Sequence, residues 1–180
     1  MRKGASSMAL LTSCCFTGHR PKDLPEGGNR DKPAARRLIL RLKETVERLS
    51  AQGTQDFYCG GALGFDTWAA QAVLEQRDRA PIRLHLILPY WGQESAWGPS
   101  DQAEYQRILR AANEVRILSE RYYPGCMQAR NRALVDRAAC VIGYCVKKGG
   151  GTAYTLAYAR QQGRRIILLS AMEDQLEMNF

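Results

Sequence analysis

Short apolar runs alternate with longer segments of helical period from one end of the chain to the other. The run MALLTSCCF (8–16) reads as a first strand. Residues 32–53 read as a helix: Pro33 sits near its start, Leu38, Leu42, Val46 and Leu49 fall at 3.6-residue spacing, and Gly53 stops it. DFYCG (56–60) is a second strand, 66–78 a second helix, and IRLHLILP (82–89) a third strand bracketed by Pro81 and Pro89. The pattern continues with helix 100–113, strand 114–119, helix 125–138, strand 139–145, helix 152–163 and strand 165–170. Strands alternating with helices of this length build βαβ units and a parallel sheet covered on both faces. The expected fold is a single Rossmann-like, doubly wound α/β domain, its mostly parallel sheet of about six strands flanked by helices on both faces. The domain is expected over 11–171, with flexible tails at 1–10 and 172–180.

The chain has 180 residues, enough for one full core. No stretch approaches the roughly 20 apolar residues of a membrane helix. The start, MRKGASSMALLTSCC, places two basic residues before an apolar run, as a signal peptide does. That run is too short, lacks a small-residue cleavage site and feeds straight into the first strand, so the protein reads as cytoplasmic with no membrane partner. Of six cysteines, none form a C-x-x-C pair, and no metal site is expected. Cys14, Cys59, Cys140 and Cys145 lie in or beside apolar strands, where a reduced thiol acts as a small hydrophobe. Cys15 and Cys126 complete the set.

The net charge of +8 changes the picture by favouring an anionic partner, either nucleic acid or a phosphorylated small molecule. Many of the basic residues are scattered over helices, which also describes a solvated face. Aromatic and basic residues do not interleave as they do in single-strand binders.

In an open parallel sheet, ligands lie at the carboxyl ends of the strands, where strand order reverses. The first strand ends in Thr17, Gly18, His19 and Arg20, with Pro21 stiffening the exit. The second ends in Gly60, Gly61, Ala62, Leu63, Gly64, Phe65 and Asp66, and the third in Pro89. The fifth ends in Lys147, Lys148, Gly149, Gly150, Gly151 and Thr152. Two of these are glycine-rich loops opening into helices, where backbone N–H groups and the helix dipole favour an anion. Neither is a G-x-G-x-x-G dinucleotide loop or a P-loop. The glycine after strand 1 is expected to let backbone approach a ligand. Asp66 reads first as a helix cap, otherwise as a contact to a sugar hydroxyl. Arg130 reads as a solvated arginine flanking a buried stripe of Met127, Asn131, Leu134 and Val135. His19 either braces its loop or exchanges protons near neutral pH. His85, mid-strand, reads as a packed or satisfied histidine.

FTGHRP (16–21), GGALGFDTWAAQAVLE (60–75), GCMQARNRALVDRA (125–138) and GGGTAYTLAYA (149–159) together resemble the YpsA-like proteins of the SLOG (SMF/DprA–LOG) superfamily. The resemblance runs from about Cys15 to Ser170. It implies a Rossmann-like fold, a pocket for a nucleotide or nucleotide derivative, and a homodimer; no required cofactor is expected. The related lonely-guy phosphoribohydrolases carry M-x-x-R-K on one helix and G-G-x-G-T-x-x-E after a strand. Here Met127 and Arg130 match, but Asn131 replaces the lysine and Thr155 the glutamate. Threonine cannot stabilise an oxocarbenium-like centre or activate water as a carboxylate does. Such hydrolysis would need another acid, Asp66 or Glu94. DprA, which binds single-stranded DNA, carries a stretch similar to 60–72.

Three functions follow. The first is a sensor that binds a nucleotide-like molecule through Thr17, Gly18, Arg20, Gly60, Gly61, Gly150, Gly151 and Thr152, with Arg130 on a phosphate. Gly64, Pro89 and Asn131 join this candidate set by position. The second is a hydrolase of a nucleotide derivative, with His19, Asp66 and Arg130 as catalytic candidates. The third is nucleic-acid binding.

Overall fold

Proline opens two of the helices: Pro33 begins α1 (Pro33–Ala51) and Pro99 begins α3 (Pro99–Ala111). Its fixed φ suits the first helical position, and it has no N–H to leave unpaired there. The structure is a computed structural model that describes residues 11–170. The remaining elements are β1 (Ser13–Thr17), β2 (Asp56–Cys59), α2 (Phe65–Arg77), β3 (Arg83–Leu88), β4 (Glu114–Ile117), α4 (Cys126–Arg137), β5 (Cys140–Gly143), α5 (Gly151–Gln161) and β6 (Arg165–Leu168). The six strands form one parallel sheet in the order β4-β3-β2-β1-β5-β6. Every expected helix and strand is present, and the expected fold stands.

Differences lie at the boundaries. Strand 1 was expected from residue 8; pairing begins at Ser13, opposite Asp56, and residues 8–10 lie outside the described residues, as do the expected tails. Between β1 and α1 the chain makes two 3-10 turns, Pro21–Asp23 and Pro25–Gly28. Each is opened by a proline, and turns of three and four residues are too short to show a hydrophobic period. Leu24 between them is buried and pins the connection to the core.

Alternation along β1 divides the core. Cys14 and Phe16 face the cluster built with α1, α2 and α3, while Cys15 faces the smaller cluster under α4 and α5. All six cysteines are unpaired thiols; five are buried and Cys145 is half-buried, so its expected core position holds only in part. His85 is satisfied from both sides: Nε2 lies 2.7 Å from Asp56 and Nδ1 3.0 Å from Glu114, with the ring stacked on Tyr58. Among the described residues no helix is long and apolar enough to cross a membrane.

The chain runs β1 to β4 outward in one direction, then returns to place β5 on the other side of β1. β1 and β5 stay paired to their last residues, Thr17 and Gly143, but α1 packs in one core cluster and α5 in the other, so the loops leaving the two strands part and leave a crevice above the sheet.

Candidate functional site

A cavity of about 240 Å³ occupies that crevice. One wall is the loop after β1, contributing Thr17, Gly18, His19, Arg20 and Asp23. α4 contributes Met127, Arg130, Asn131 and Leu134; the loop after β5 contributes Lys147, Gly149, Gly150, Gly151 and Thr152. Ala62 and Asp66 close the side toward β2, and Phe16 is also in the lining.

The anion-seeking feature is the start of α5. Gly150 is its N-cap at φ 90° and ψ −174°, a positive-φ conformation open essentially to glycine. A methyl group on Gly149 or Gly150 would meet no atom within 4 Å, so neither glycine is there to satisfy packing. The uncapped N–H groups of an 11-residue helix point at the cavity with its positive dipole end.

Opposite lies a buried ionic centre. Arg130 is only 5% exposed, which corrects the solvated reading. Its position on α4, beneath the glycine turn after β2, is long-range information that helical periodicity does not contain. Nη1 donates to the Gly60 carbonyl at 2.5 Å, and Nε donates to Asn131 Oδ1 at 2.8 Å. A Cβ on Gly60 would collide with the guanidinium and lie 2.9 Å from Asp66 Oδ2. Gly60 thus serves the ionic centre from behind and does not line the cavity. Burial pushes the Arg130 pKa down, opposed by Asp66. Burial likewise pushes the Asp66 carboxyl up from its usual range, opposed by Arg130 and by the Ala62 N–H, which donates to Oδ2 at 3.1 Å. Asp66 therefore does not cap the first turn of its own helix: the α2 N-cap has no side-chain cap, and Asp66 holds the loop ahead of it while facing the cavity.

The β1 loop is braced as much as exposed. The Val146 N–H donates to His19 Nε2 at 2.9 Å, so that nitrogen carries no proton. Burial lowers the His19 pKa; Asp23 opposes and Lys147 adds to the effect. In this arrangement His19 ties the loop after β1 to the loop after β5. Because its folded pKa lies below the ordinary histidine value of 6.5, its contribution is complete above pH 6.5 and is lost as pH falls through the folded value. The thermal midpoint is expected to decline below pH 6.5, and His19→Gln, whose amide oxygen can still accept from Val146, should decline less. Parallel melting curves of the two proteins between pH 5 and 8 check this.

Gly18 was expected to admit a ligand. It does line the cavity, but a Cβ there would overlap the Phe65 ring, and Phe65 is fully buried. Packing accounts for this glycine. Gly64, at φ 91°, lies outside the lining; a Cβ on it would come within 2.6 Å of the His19 carbonyl, which accepts the Phe65 N–H. Gly61 and Pro89 also lie outside the cavity. Thr155 is buried, its hydroxyl donating to the Gly151 carbonyl of the preceding turn at 2.8 Å. Glu94 lies outside the lining, beyond the Gly60–Gly61 turn, with Gln106 donating to it. Asp66 is thus the buried carboxylate of the cavity.

Sequence reasoning missed Asp23. It forms an ion pair with Lys147 at 2.6 Å across the mouth, and both residues line the cavity. Its signal was weak, because nothing in the sequence says the proline-opened turn folds back over β1.

Comparison with known proteins places this geometry. The YpsA family model, described as the YspA SLOG family, matches residues 14–169. A UPF0398 protein of Halalkalibacterium halodurans is 31% identical over 134 residues, covering 70% of this chain and 71% of that protein. A UPF0398 protein of Bacillus pumilus is 25% identical over 162 residues, covering 88% and 87%. Among solved structures, DprA of Streptococcus pneumoniae aligns with a TM-score of 0.60 at 19% identity, over 88% of this chain and 50% of that one. DprA of Helicobacter pylori aligns with a TM-score of 0.59 at 19% identity, over 88% and 65%. This chain spans half to two thirds of those DprA chains, and at such identity the likeness is one of fold. With a family match from the first strand to the last and all its quoted motifs gathered at one crevice, the chain belongs to the YspA SLOG family.

Proposed function

We propose that the cavity between β1 and β5 binds a nucleotide or nucleotide-derived small molecule, and that the chain works as a sensor or regulatory domain. The observation that carries this reading is the convergence of Arg20, Arg130 and Lys147 with the glycine-led start of α5 on one small cavity. The α5 N–H groups would take a phosphate and Arg20 and Lys147 would neutralise it. Arg130, held by Gly60 and Asn131, would keep its remaining donors for the ligand. Asp66 would accept from a sugar hydroxyl or a base amino group. Binding is favoured over hydrolysis because Thr155 stands at the helix position where the hydrolases carry their glutamate, and its hydroxyl is spent on the helix backbone.

Asp66 favours one second reading. A buried carboxyl with a raised pKa, beside an arginine, is suited to hold or give a proton, so a cleavage reaction on the same ligand class would run through it. Free base released from nucleoside monophosphates, and lost in Asp66→Asn, would select this reading.

The test is native mass spectrometry of freshly purified protein, then thermal shift with nucleotides, nucleotide sugars and ADP-ribose derivatives. A ligand at a hundredfold its Kd stabilises by about 2.7 kcal/mol, which for a chain this long raises the midpoint by roughly 5–10 °C. The H. pylori DprA was solved in work on its single-stranded DNA binding mode. No shift with any small molecule, together with DNA or RNA affinity that falls steeply with salt, would overturn the proposal in favour of a nucleic-acid partner.

A further inference from the structure

Asp23 is not needed by the fold in the way its neighbours are. Leu24 is buried in the core and Pro21 and Pro25 open the turns, whereas the Asp23 side chain reaches over the cavity to Lys147. Lys147 sits two residues before Gly149 in the loop leading to α5, and its own side chain is half exposed. Around Gly149 and Gly150 the loop is unpacked. The charged groups of the lining are Arg20, Arg130 and Lys147 against Asp23 and Asp66, three cations to two carboxylates.

We propose that Asp23 is a specificity-determining residue that acts as an internal anion: in the empty protein its carboxylate occupies Lys147, and a ligand must displace it to bind. This rests on the nucleotide reading of the same cavity. A carboxylate is a singly charged acceptor, so it holds the lysine against weakly charged compounds. It yields to a phosphate, which brings more charge and more acceptor oxygens and is attracted at the same time by α5. After displacement Asp23 remains at the mouth as a negative charge. It then repels each additional phosphate, so the cavity discriminates against long phosphate chains.

The consequence runs against the usual effect of deleting a cavity residue. Asp23→Asn keeps the shape of the turn, frees Lys147 and removes the repulsion. It should bind a nucleoside monophosphate several-fold more tightly than the natural protein. The gain should be larger still for the diphosphate and should shrink as salt is raised. Calorimetric titration of both proteins with the two nucleotides, at low and physiological salt, reads this directly. Hydrogen exchange of residues 145–150 without ligand supplies an independent measure, since breaking the clasp should speed exchange there. Unchanged or weaker binding by Asp23→Asn, where the natural protein binds, would overturn the internal-anion role. Binding by the variant alone would support it in its strongest form. If neither protein binds either nucleotide, the nucleotide reading falls, and exchange alone decides whether the Asp23–Lys147 clasp stands without it. Faster exchange in the variant would then show that the clasp was intact and the ligand class wrong, whereas unchanged exchange would overturn the clasp itself.

Discussion

Replacing Arg130 with alanine is expected to cost both fold and ligand. Arg130 is buried beside Asp66 and supplies a donor to the Gly60 carbonyl. Its removal leaves Asp66 without the stronger of its two cationic neighbours, Arg20 being the other, and takes one donor from the buried Gly60 carbonyl. Breaking a buried ionic pair from one side destabilises by about 3–5 kcal/mol, a fall in thermal midpoint on the order of 10 °C for a chain of this size. The loss should depend on pH in a definite sense. Asp66 already has a folded pKa above the ordinary aspartate value of 3.8, so its favourable share is present below 3.8 and is lost as pH rises through the folded value. Arg130 lowers that folded value; without it the carboxyl is pushed further up. The deficit of Arg130→Ala should therefore be smaller at pH 5 than at pH 7.5, and Asp66→Asn in the same chain should recover part of it. Affinity for nucleoside monophosphates should fall about tenfold to a hundredfold, as expected for losing a charge-assisted contact. Arg130→Lys, which keeps the charge but not the planar fork, should restore stability more than affinity. A deficit in stability independent of pH would show that Asp66 and Arg130 are not coupled.

How far the sequence carries the reader differs between fold and site. Helices and strands were legible because their signals are local. The spacing of Leu38, Leu42, Val46 and Leu49 puts all four on one buried face, and proline and glycine mark the ends. The strand order was legible only as a class, since nothing local states that β5 crosses back to pair with β1. The site followed the same division. Glycine-led loops at strand ends could be read as ligand-facing, and Thr17, Arg20, Gly150, Gly151 and Thr152 do meet at one cavity. Arg130 was named as a candidate and does line the cavity, but its burial could not be read, because it depends on the Gly60 turn coming within reach across 70 positions of sequence. Asp23 was invisible for a related reason: its role depends on a lysine 124 residues away.

The glycines show the same limit and supply the other large effect. A glycine-rich motif looks alike wherever it occurs, yet Gly18 and Gly149, both in the cavity lining, are there for opposite reasons. At Gly18 an added methyl would overlap the fully buried Phe65 ring, which would have to shift within a close-packed interior. Phe65 also packs on Tyr144 at 6.4 Å between ring centroids, and Tyr144 in turn lies edge-on to His19. Gly18→Ala is thus expected to cost about 1–3 kcal/mol in forced repacking, roughly 3–10 °C in midpoint. Phe65→Leu in the same chain should return part of that by making room. Gly149→Ala should leave the midpoint within about 0.5 kcal/mol of the natural protein, as for a surface substitution, because a Cβ there meets nothing within 4 Å. Its effect should fall on the ligand, whose anionic group would find a methyl beside the backbone of the α5 loop. Thermal melts and nucleotide titrations of the two variants separate the roles. A Gly149→Ala chain that melts early and binds normally would mean that the α5 loop serves the fold, and the anion would then have to be held by the side chains alone.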